Sequence, residues 1–508
     1  MCIVSIPFNN EAVQRFRNSY AAAFVDWRAA SILFTLFAAH VACAGNWPQF
    51  RGPNGSGVAV DGDMPVHFGP SSNVLWKTTL PGGHSSPVIW GDRIFLTSFA
   101  EGELQTLCLN RNDGRELWRR GVKPTKIERG AHNSHPATST PCTDGKTLFS
   151  YFGSFGGVAY DFDGKELWRT PLPVPITQHG ASSSPVLASD LVILQRDADF
   201  DSHLLALNKQ TGKVEWKIDR PDARRSFSTP LVLGGDGRAA TDEASQRGAS
   251  HSQIIVPGTL RVASYDAANG RELWTLRGLP NEMCSSPVFG DGLIFLTGWT
   301  PGAGVATLPN FDVLLERGDA NHDGKLSQAE APSGPAKSQF QYTDANKDGF
   351  MTREEWESIS KIFTTSENVA LAIRPGGSGD VTTTHVAWRQ TRGLPYVPTP
   401  LLYQHRLYLV RNGGLLSCFN ATNGTPLFQE ERIGALGDYY ASPVVAHGKI
   451  CVVSQSGAVT ILAAGDELKV LAKNSLGENV LATPAIADNT LYFRTATALY
   501  AFRERNQP

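Results

Sequence analysis

The sequence predicts an all-β protein, an eight-bladed β-propeller of four-stranded blades that carries a small α-helical insertion. Three observations support this prediction. A short apolar motif recurs eight times, the complete repeats contain four strand-like runs, and an orphan strand before the first repeat matches a strand missing from the last. Regular repeats of about 40 to 50 residues are typical of propellers and other repeat architectures.

The recurring motif is a small residue, then Ser or Thr, then Pro and an apolar run. Its prolines are Pro87, Pro141, Pro185, Pro230, Pro287, Pro400, Pro443 and Pro484. The intervals run from 41 to 57 residues, except for the interval between Pro287 and Pro400. That interval would match the others if about 60 residues were removed from it, which predicts one insertion in an otherwise regular array.

The first repeat shows the internal order of a blade. Its strand-like runs are residues 86–90, 94–98, 104–110 and 116–119, and Gly- or Asp-containing turns separate them. Short apolar runs bounded by such turns indicate antiparallel strands. Four strands in each of eight repeats predict an eight-bladed propeller, and an open solenoid is the alternative.

Ring closure distinguishes these two architectures. The last repeat stops after its third strand, residues 498–502, whereas residues 73–77 form an unpaired strand before the first repeat. If the N-terminal strand completes the last blade, the sheet edges that would invite aggregation are removed. We therefore expect circular closure.

The insertion contains two twelve-residue segments, 319–330 and 344–355, that fit the EF-hand calcium loop. Such loops supply oxygen ligands from positions 1, 3, 5, 7, 9 and 12 and have Gly at position 6. The predicted ligands are Asp319, Asn321, Asp323, the Lys325 carbonyl, Ser327 and Glu330 in one loop, and Asp344, Asn346, Asp348, the Phe350 carbonyl, Thr352 and Glu355 in the other. The sequence thus predicts two Ca²⁺ sites.

Further features of the insertion bear on its role. Leu326 and Met351 stand at position 8, where paired loops touch, so the two loops are expected to form one unit. The Pro-containing linker 331–335 leaves little room for helices to open around a target, which favours a stabilising role over a signalling one. Asx-rich surface turns without metal are the alternative.

Residues 206–216, ALNKQTGKVEW, come within one residue of the repeat Ala-x-Asp-x-x-Thr-Gly-x-x-x-Trp. Related segments lie at 160–168, 265–274 and 418–428. The chain thereby resembles the quinoprotein-like (PQQ-like) propellers over about residues 73–503, apart from the insertion. The resemblance implies that each repeat Trp docks onto the next blade, with Phe428 and Leu471 as substitutes. It implies the fold and leaves the activity open.

The organisation along the chain follows from these patterns. An apolar stretch at 29–41, preceded by Arg28 and followed by small residues at 42–44, predicts a signal peptide over residues 1–44. It is too short for a comfortable membrane span. Export to the periplasm or the extracellular space is therefore expected, with lipidation near Cys43 as a less favoured alternative. The propeller is assigned to 45–299 and 367–508, and the EF-hand pair to 300–366.

Polar and aromatic residues precede the motif prolines and are expected to ring the mouth of the central channel, on the same face as the insertion. They are His84, His132, His135, His179, Arg225, Glu282, Tyr396, Tyr439, Tyr440 and Asn479. Converging histidines can bind a metal or act as general bases. His84, His132, His135, His179 and Arg225 are accordingly the catalytic candidates, and ordinary polar loops are the alternative.

Three functional classes remain open. The preferred one is a non-catalytic binding or scaffold module, similar to the propellers that assist outer-membrane assembly, with a protein, a small molecule or a carbohydrate as partner. The second is a PQQ-dependent dehydrogenase; those enzymes carry an adjacent Cys-Cys pair that this sequence lacks, so PQQ is not expected. The third is a hydrolase or lyase that uses the histidines. A net charge of −2 argues against nucleic acid as a partner.

Overall fold

The computed structural model describes residues 45–130, 133–234, 252–305 and 308–504. The predicted signal peptide and His132 lie outside these ranges. The described strands form eight four-stranded antiparallel blades, and blade 4 gains a short parallel strand at its outer edge. The predicted eight-bladed propeller is confirmed. None of the helices in these ranges has the length and apolar character that a membrane crossing requires.

The first four blades follow one another along the chain. Blade 1 contains Val88–Trp90, Arg93–Ala100, Glu103–Asn110 and Glu116–Val122; blade 2 contains Cys142–Thr143, Thr147–Phe152, Gly156–Asp161 and Glu166–Pro171. Blade 3 contains Val186–Ala188, Leu191–Arg196, His203–Asn208 and Val214–Asp219; blade 4 contains Leu231–Leu233, Gln253–Gly258, Arg261–Asp266, Glu272–Arg277 and the added Gly379–Asp380.

The second half repeats this order after the insertion. Blade 5 contains Val288–Gly290, Leu293–Gly298, Val369–Ile373 and Val386–Gln390; blade 6 contains Leu401–Tyr403, Arg406–Arg411, Leu415–Asn420 and Pro426–Arg432. Blade 7 contains Val444–Ala446, Lys449–Val453, Ala458–Ala463 and Lys469–Ser475; blade 8 contains Ala485–Ala487, Thr490–Arg494, Ala498–Phe502 and the N-terminal strand Val74–Thr79.

The N-terminal strand closes the ring as expected. Val74–Thr79 pairs antiparallel with Ala498–Phe502, and Trp76 lies opposite Ala501. Blade 8 therefore combines the two ends of the described chain, and every blade has its four strands.

Inner and outer strands differ in composition because their surroundings differ. In blade 1 the third strand buries Leu104, Leu107, Cys108 and Leu109, because neighbouring blades cover both of its faces. The outermost strand, Glu116–Val122, is buried mainly at Trp118 and Val122. Strands buried on both faces read as continuous apolar runs, and half-exposed strands read as alternating ones.

The repeat tryptophans dock adjacent blades. The indole N–H of Trp118 donates to the Phe162 carbonyl of blade 2 at 2.8 Å. Gly164 lies against the ring with φ of +81°, and a Cβ there would come within 2.7 Å of the indole. Trp168 makes the same kind of bond to Lys209 of blade 3 at 2.9 Å. The Gly of each of these repeats, Gly164 and Gly212, thus packs against the tryptophan of the preceding blade.

The insertion leaves blade 5 between its second and third strands. It contains helix α1, Phe311–Gly318, the strand Leu326–Ser327, helices α2, Pro335–Ser338, and α3, Phe340–Thr343, the strand Phe350–Met351, and helix α4, Arg353–Thr365. Leu326 pairs with Met351 as predicted from position 8 of the two loops. Both side chains are buried in a small core with Phe311, Leu314 and Trp356.

An N-terminal plug, residues 47–58, crosses the end of the channel remote from the insertion. Trp47 bridges to Ile89 in blade 1, and Val58 bridges to Val445 in blade 7. Between them lies the 3₁₀-helix Pro53–Gly55. The sequence assigned residues 45–299 to blades, so this plug is a correction: its residues belong to no blade and instead close the channel.

Candidate functional site

A hydroxyl ring lines the central channel. It consists of the residue before each motif proline: Ser86, Thr140, Ser184, Thr229, Ser286, Thr399, Ser442 and Thr483. At seven of the eight blade junctions the backbone N–H of one ring residue donates to the side-chain oxygen of the next, at 2.9 to 3.2 Å. The side chain of the motif Ser or Thr therefore links neighbouring blades by a hydrogen bond at these seven junctions.

A second ring lies two residues upstream, because successive side chains of an extended segment alternate in direction. Its members are His84, Thr138, Ser182, Phe227, Cys284, Val397, Tyr440 and Leu481, and all of them line the same cavity as the hydroxyl ring. Blades 1 to 3 contribute polar side chains, and blades 4 to 8 contribute mainly apolar or aromatic ones. The cavity wall is thus polar on one arc and apolar on the other.

The cavity has a volume of about 400 Å³ and is closed at the plug. Phe50 of the plug is among the lining residues. The adjacent Arg51 is completely buried, and its guanidinium donates to the carbonyls of Pro400 and Pro443 at 2.8 and 3.1 Å. The channel is consequently a pocket with one open mouth, of a size that suits a small molecule.

His84 and His135 lie together on the blade 1 side of the pocket, with ring centroids 5.0 Å apart. The backbone N–H of Ala137 donates to His135 Nδ1 at 3.1 Å, so the neutral ring carries its proton on Nε2. Burial, then the neighbouring His135 and Arg494, lower the pKa of His84 to about 3. Burial and Arg494 lower the pKa of His135 to about 4. Both rings are neutral at pH 7 and are weak bases.

The mouth of the pocket carries several of the other predicted residues. His179, Glu282, Tyr396 and Tyr440 line the cavity. The Asn133 amide donates to the Tyr440 hydroxyl at 2.7 Å. The predicted ring around the channel mouth is therefore present in part, with an arc of aromatic side chains opposite the histidines.

Other predicted residues lie elsewhere. The Tyr439 side chain is buried, and its hydroxyl donates to the Ala435 carbonyl at 2.9 Å, away from the cavity. Asn479 accepts a backbone bond from Ala496 and is not a lining residue. His135 contacts His84 but is not among the residues that line the cavity. The apolar lining residues, such as Val397 and Leu481, were missed because polar and aromatic residues were expected at the channel. They could have been found by counting two residues upstream from each motif Ser or Thr, since side chains two apart in an extended segment point the same way.

Arg225 lies beside the pocket, in an ion-pair network. It bonds Asp199, and its Nη1 is 3.5 Å from Glu282 Oε1. With Arg224 it lines a second cleft of about 310 Å³ between the propeller and the insertion. Its position in this network corrects the expectation that it faces the channel.

The insertion forms one wall of this second cleft. Tyr342, Trp356, Ile359, Ile362 and Phe363 supply the apolar side. His179 and Glu282 line both cavities, so the cleft adjoins the mouth of the channel pocket.

The two predicted calcium loops adopt the same backbone conformation. Gly324 and Gly349, at position 6, have φ of +78° and +87°, and His322 and Lys347, at position 4, both have +59°. Position 6 of each loop donates its backbone N–H to the Asp at position 1, at 3.0 Å in both loops. The turn that the glycine was expected to permit is present in each.

Some of the oxygen atoms that could bind a metal in these loops have hydrogen-bond partners, and others do not. The Glu330 and Glu355 carboxylates accept from the hydroxyls of Ser327 and Thr352 at 2.7 and 2.8 Å. Asp344 Oδ1 is buried without a hydrogen-bond partner. Within the described ranges, no three His, Cys, Asp or Glu side chains are arranged to hold a metal by themselves. The loop donors, however, include amide, hydroxyl and main-chain oxygens, and hard cations accept all of these.

The described cysteines are free thiols. Cys108, Cys142, Cys418 and Cys451 are buried, and Cys284 is partly exposed in the second ring. Burial raises the pKa of the Cys108 and Cys418 thiols to about 12, so both are protonated at neutral pH. They act as small apolar side chains of the blades.

The fold and the closed channel define an eight-bladed PQQ-like β-propeller. The chain belongs to the family of the outer membrane protein assembly factor BamB, whose sequence profile matches residues 105–247 and 379–507, more than half of its length. No curated protein matches the sequence significantly.

Solved structures share the fold at low sequence identity. Quinohemoprotein alcohol dehydrogenase from Comamonas testosteroni has a TM-score of 0.53 and 10% identity, over 91% of this chain and 82% of that one. The computationally designed protein Ika8 has a TM-score of 0.50 and 9% identity, over 85% of this chain and 100% of that one. BamB from Moraxella catarrhalis has a TM-score of 0.49 and 12% identity, over 84% and 100%. For the first two structures, the likeness at these identities is one of fold.

Proposed function

We propose that the protein is an exported, calcium-binding β-propeller that acts as a binding or scaffold module, with its ligand held in the closed channel. One observation carries this proposal: the EF-hand insertion lines a cleft that shares His179 and Glu282 with the channel mouth. A module at this position can shape access to the pocket. Its partner is a protein, a small molecule or a carbohydrate, as the sequence suggested.

Binding fits the chemistry of the pocket better than catalysis does. Two of the histidine candidates, His84 and His135, have pKa values lowered to about 3 and 4, which suits them poorly to general-base work at neutral pH. Arg225 is engaged by Asp199 and Glu282. Apart from Asn133, His179 and Glu282, the rest of the lining is mainly hydroxylic, aromatic or apolar, as in pockets that recognise shape and a few polar groups.

Calcium suits the donors of both loops. The ligands would be Asp319, Asn321, Asp323, Ser327 and Glu330 with the Lys325 carbonyl, and Asp344, Asn346, Asp348, Thr352 and Glu355 with the Phe350 carbonyl. The buried, unpartnered Asp344 Oδ1 supports this proposal, since such an atom costs free energy unless a ligand satisfies it. Bound calcium would neutralise the clustered carboxylates and hold helices α1 and α4 together.

Thermal unfolding with calcium and with a chelator tests the calcium part. Saturating calcium should raise the unfolding temperature of the wild type, because a ligand at about 100 times its Kd adds about 2.7 kcal/mol per site. The double variant Glu330→Gln, Glu355→Gln should lose this increment. Glu354→Gln, an exposed neighbour on α4, should keep it. An equal response in all three proteins would contradict the proposed ligands.

Incubation with PQQ and calcium tests the non-catalytic part. The expectation is no dye-linked alcohol oxidation. Stoichiometric uptake together with oxidation would replace the binding role by a dehydrogenase.

A further inference from the structure

We infer that the channel pocket takes a ligand with a carboxylate group and an apolar body, the carboxylate at the hydroxyl ring and the body against blades 4 to 8. This inference deepens the proposed binding function and rests on it. Three features of the pocket support it: unused hydroxyl donors, two buried cations without an acidic partner, and the apolar arc of the second ring.

The hydroxyl ring offers donors to a ligand. Seven of its hydroxyl oxygens accept a backbone N–H from the neighbouring blade. A hydroxyl can accept and donate at the same time. Among the described residues, none of the eight hydroxyls donates to a protein acceptor, so their protons remain available to the pocket. Convergent O–H donors match an acceptor-only group such as a carboxylate.

Two buried guanidinium groups flank this ring. Arg51 lies under the floor and bonds the carbonyls of Pro400 and Pro443, next to the ring residues Thr399 and Ser442. Arg494 bonds the hydroxyl and the carbonyl of Ser85, at 2.7 and 3.3 Å. Burial lowers the pKa of each guanidinium to about 9, so both are charged at pH 7.

The charge of these cations is not neutralised locally. Within the described ranges neither Arg51 nor Arg494 forms an ion pair with Asp or Glu, in contrast to the buried pair Arg220–Asp197 at 3.0 Å. Carbonyl groups satisfy the N–H donors but bring no net negative charge. Arg494 also lowers the pKa of both His84 and His135, which indicates a positive field beside the pocket. An anion in the pocket would lower the cost of burying both charges.

The second ring and the plug supply the apolar surface. Phe227, Val397 and Leu481 stand on blades 4, 6 and 8, and Phe50 lies at the floor. A volume of about 400 Å³ accommodates a bicyclic aromatic acid or a molecule of similar size. Donors on one side and an apolar wall on the other select a molecule with both characters.

Titration calorimetry with 2-naphthoate and its uncharged isostere 2-naphthamide tests the inference. The carboxylate should bind at least about tenfold more tightly, since charge-assisted hydrogen bonds are about twice as strong as neutral ones. Equal or tighter binding of the amide would overturn the inference and leave the binding function standing. If neither compound binds, the inference is overturned and the channel loses its support as the binding site.

Substitution at Leu481 provides a matched pair of variants. This half-buried second-ring side chain lines the pocket without taking part in the hydroxyl ring. Leu481→Glu should weaken 2-naphthoate at least about tenfold more than Leu481→Gln does, because both variants lose the apolar contact and only Glu adds charge repulsion. Equal effects of the two substitutions would contradict the inference. If Leu481→Glu does not fold, the comparison of the two ligands on the wild type still decides the matter.

Discussion

At seven of the eight blade junctions a single hydroxyl joins neighbouring blades at the channel wall. The ring residues are buried, so a backbone N–H that lost its acceptor there would have no water to replace it. This explains why the residue before each motif proline is always Ser or Thr, the two small side chains that offer a hydroxyl oxygen at that distance.

Thr229→Val tests the joint between blades 3 and 4. The substitution keeps the volume but leaves the Ser184 N–H, now 3.2 Å from Thr229 Oγ1, without an acceptor. The free energy of unfolding should fall by about 1–3 kcal/mol in chemical denaturation. Thr229→Ser keeps the hydroxyl and should lose less. If both variants lose the same free energy of unfolding, the Thr229 hydroxyl is not what links the two blades.

The protonation state of the Glu128 side chain also affects stability. It is 7% exposed, and burial raises its pKa to about 7. Because this folded-state value lies above the unfolded one, the group binds more protons when folded, and its contribution to stability declines as pH rises from about 4.5 to 7.

Glu128→Gln should therefore stabilise the protein at pH 8 by about 3 kcal/mol and by much less at pH 5. Denaturant titrations of both proteins at the two pH values measure this difference. A gain of the same size at both pH values would show that ionisation of Glu128 is not its cause.

The plug is the element that turns a channel into a pocket. Trp47 is fully buried, and its backbone N–H and carbonyl both bond Ile89. The Thr143 N–H donates to the Pro48 carbonyl at 2.9 Å. One short segment thus connects blades 1, 2, 6 and 7 with few residues, and its stability depends on contacts with all of them.

Trp47→Ala should destabilise the protein by about 3–5 kcal/mol, the usual cost of removing a buried aromatic side chain. Val60→Ala, 80% exposed and two residues beyond the plug, should change the free energy of unfolding by less than about 0.5 kcal/mol. Chemical unfolding followed by the backbone circular dichroism signal, which does not depend on tryptophan, measures the change in the free energy of unfolding for both variants. A cost below about 1 kcal/mol for Trp47→Ala would mean that the plug is dispensable.

The blades could be predicted from sequence and the plug could not, for the same physical reason. Each blade forms from a repeat whose contacts are local, so one motif read eight times defines all of them. Arg51 instead bonds carbonyls that lie 348 to 392 residues away in the chain. Nothing in residues 47–58 repeats or alternates, and bonds that hold the segment in place are made to residues far away in the chain.

The candidate site was predicted in part for a related reason. Polar residues such as His84, His179 and Glu282 were found because loops before the prolines were expected to meet at the mouth. The pairing of the calcium loops followed from position 8, and the structure confirms it. The apolar lining, and the two guanidinium groups that have no ion-pair partner among the described residues, arise from the tertiary arrangement alone.

At the scale of the whole molecule, three parts of the chain meet around one axis. The blades provide the wall, the N-terminal segment the floor, and the insertion the neighbouring cleft at the open end. Ring closure by Val74–Thr79 fixes the blades relative to one another, so the eight hydroxyls stay in register. Among the described residues, His179 and Glu282 line both the channel pocket and the cleft beside the insertion.

Native mass spectrometry of the purified protein in calcium tests the central claim, a calcium-binding module at the pocket mouth, most directly. The account predicts that the wild type gains the mass of two calcium ions. The double variant Glu330→Gln, Glu355→Gln should gain none at the same free calcium concentration. A wild type that takes up no calcium, or a double variant that takes up the same amount, would contradict the account.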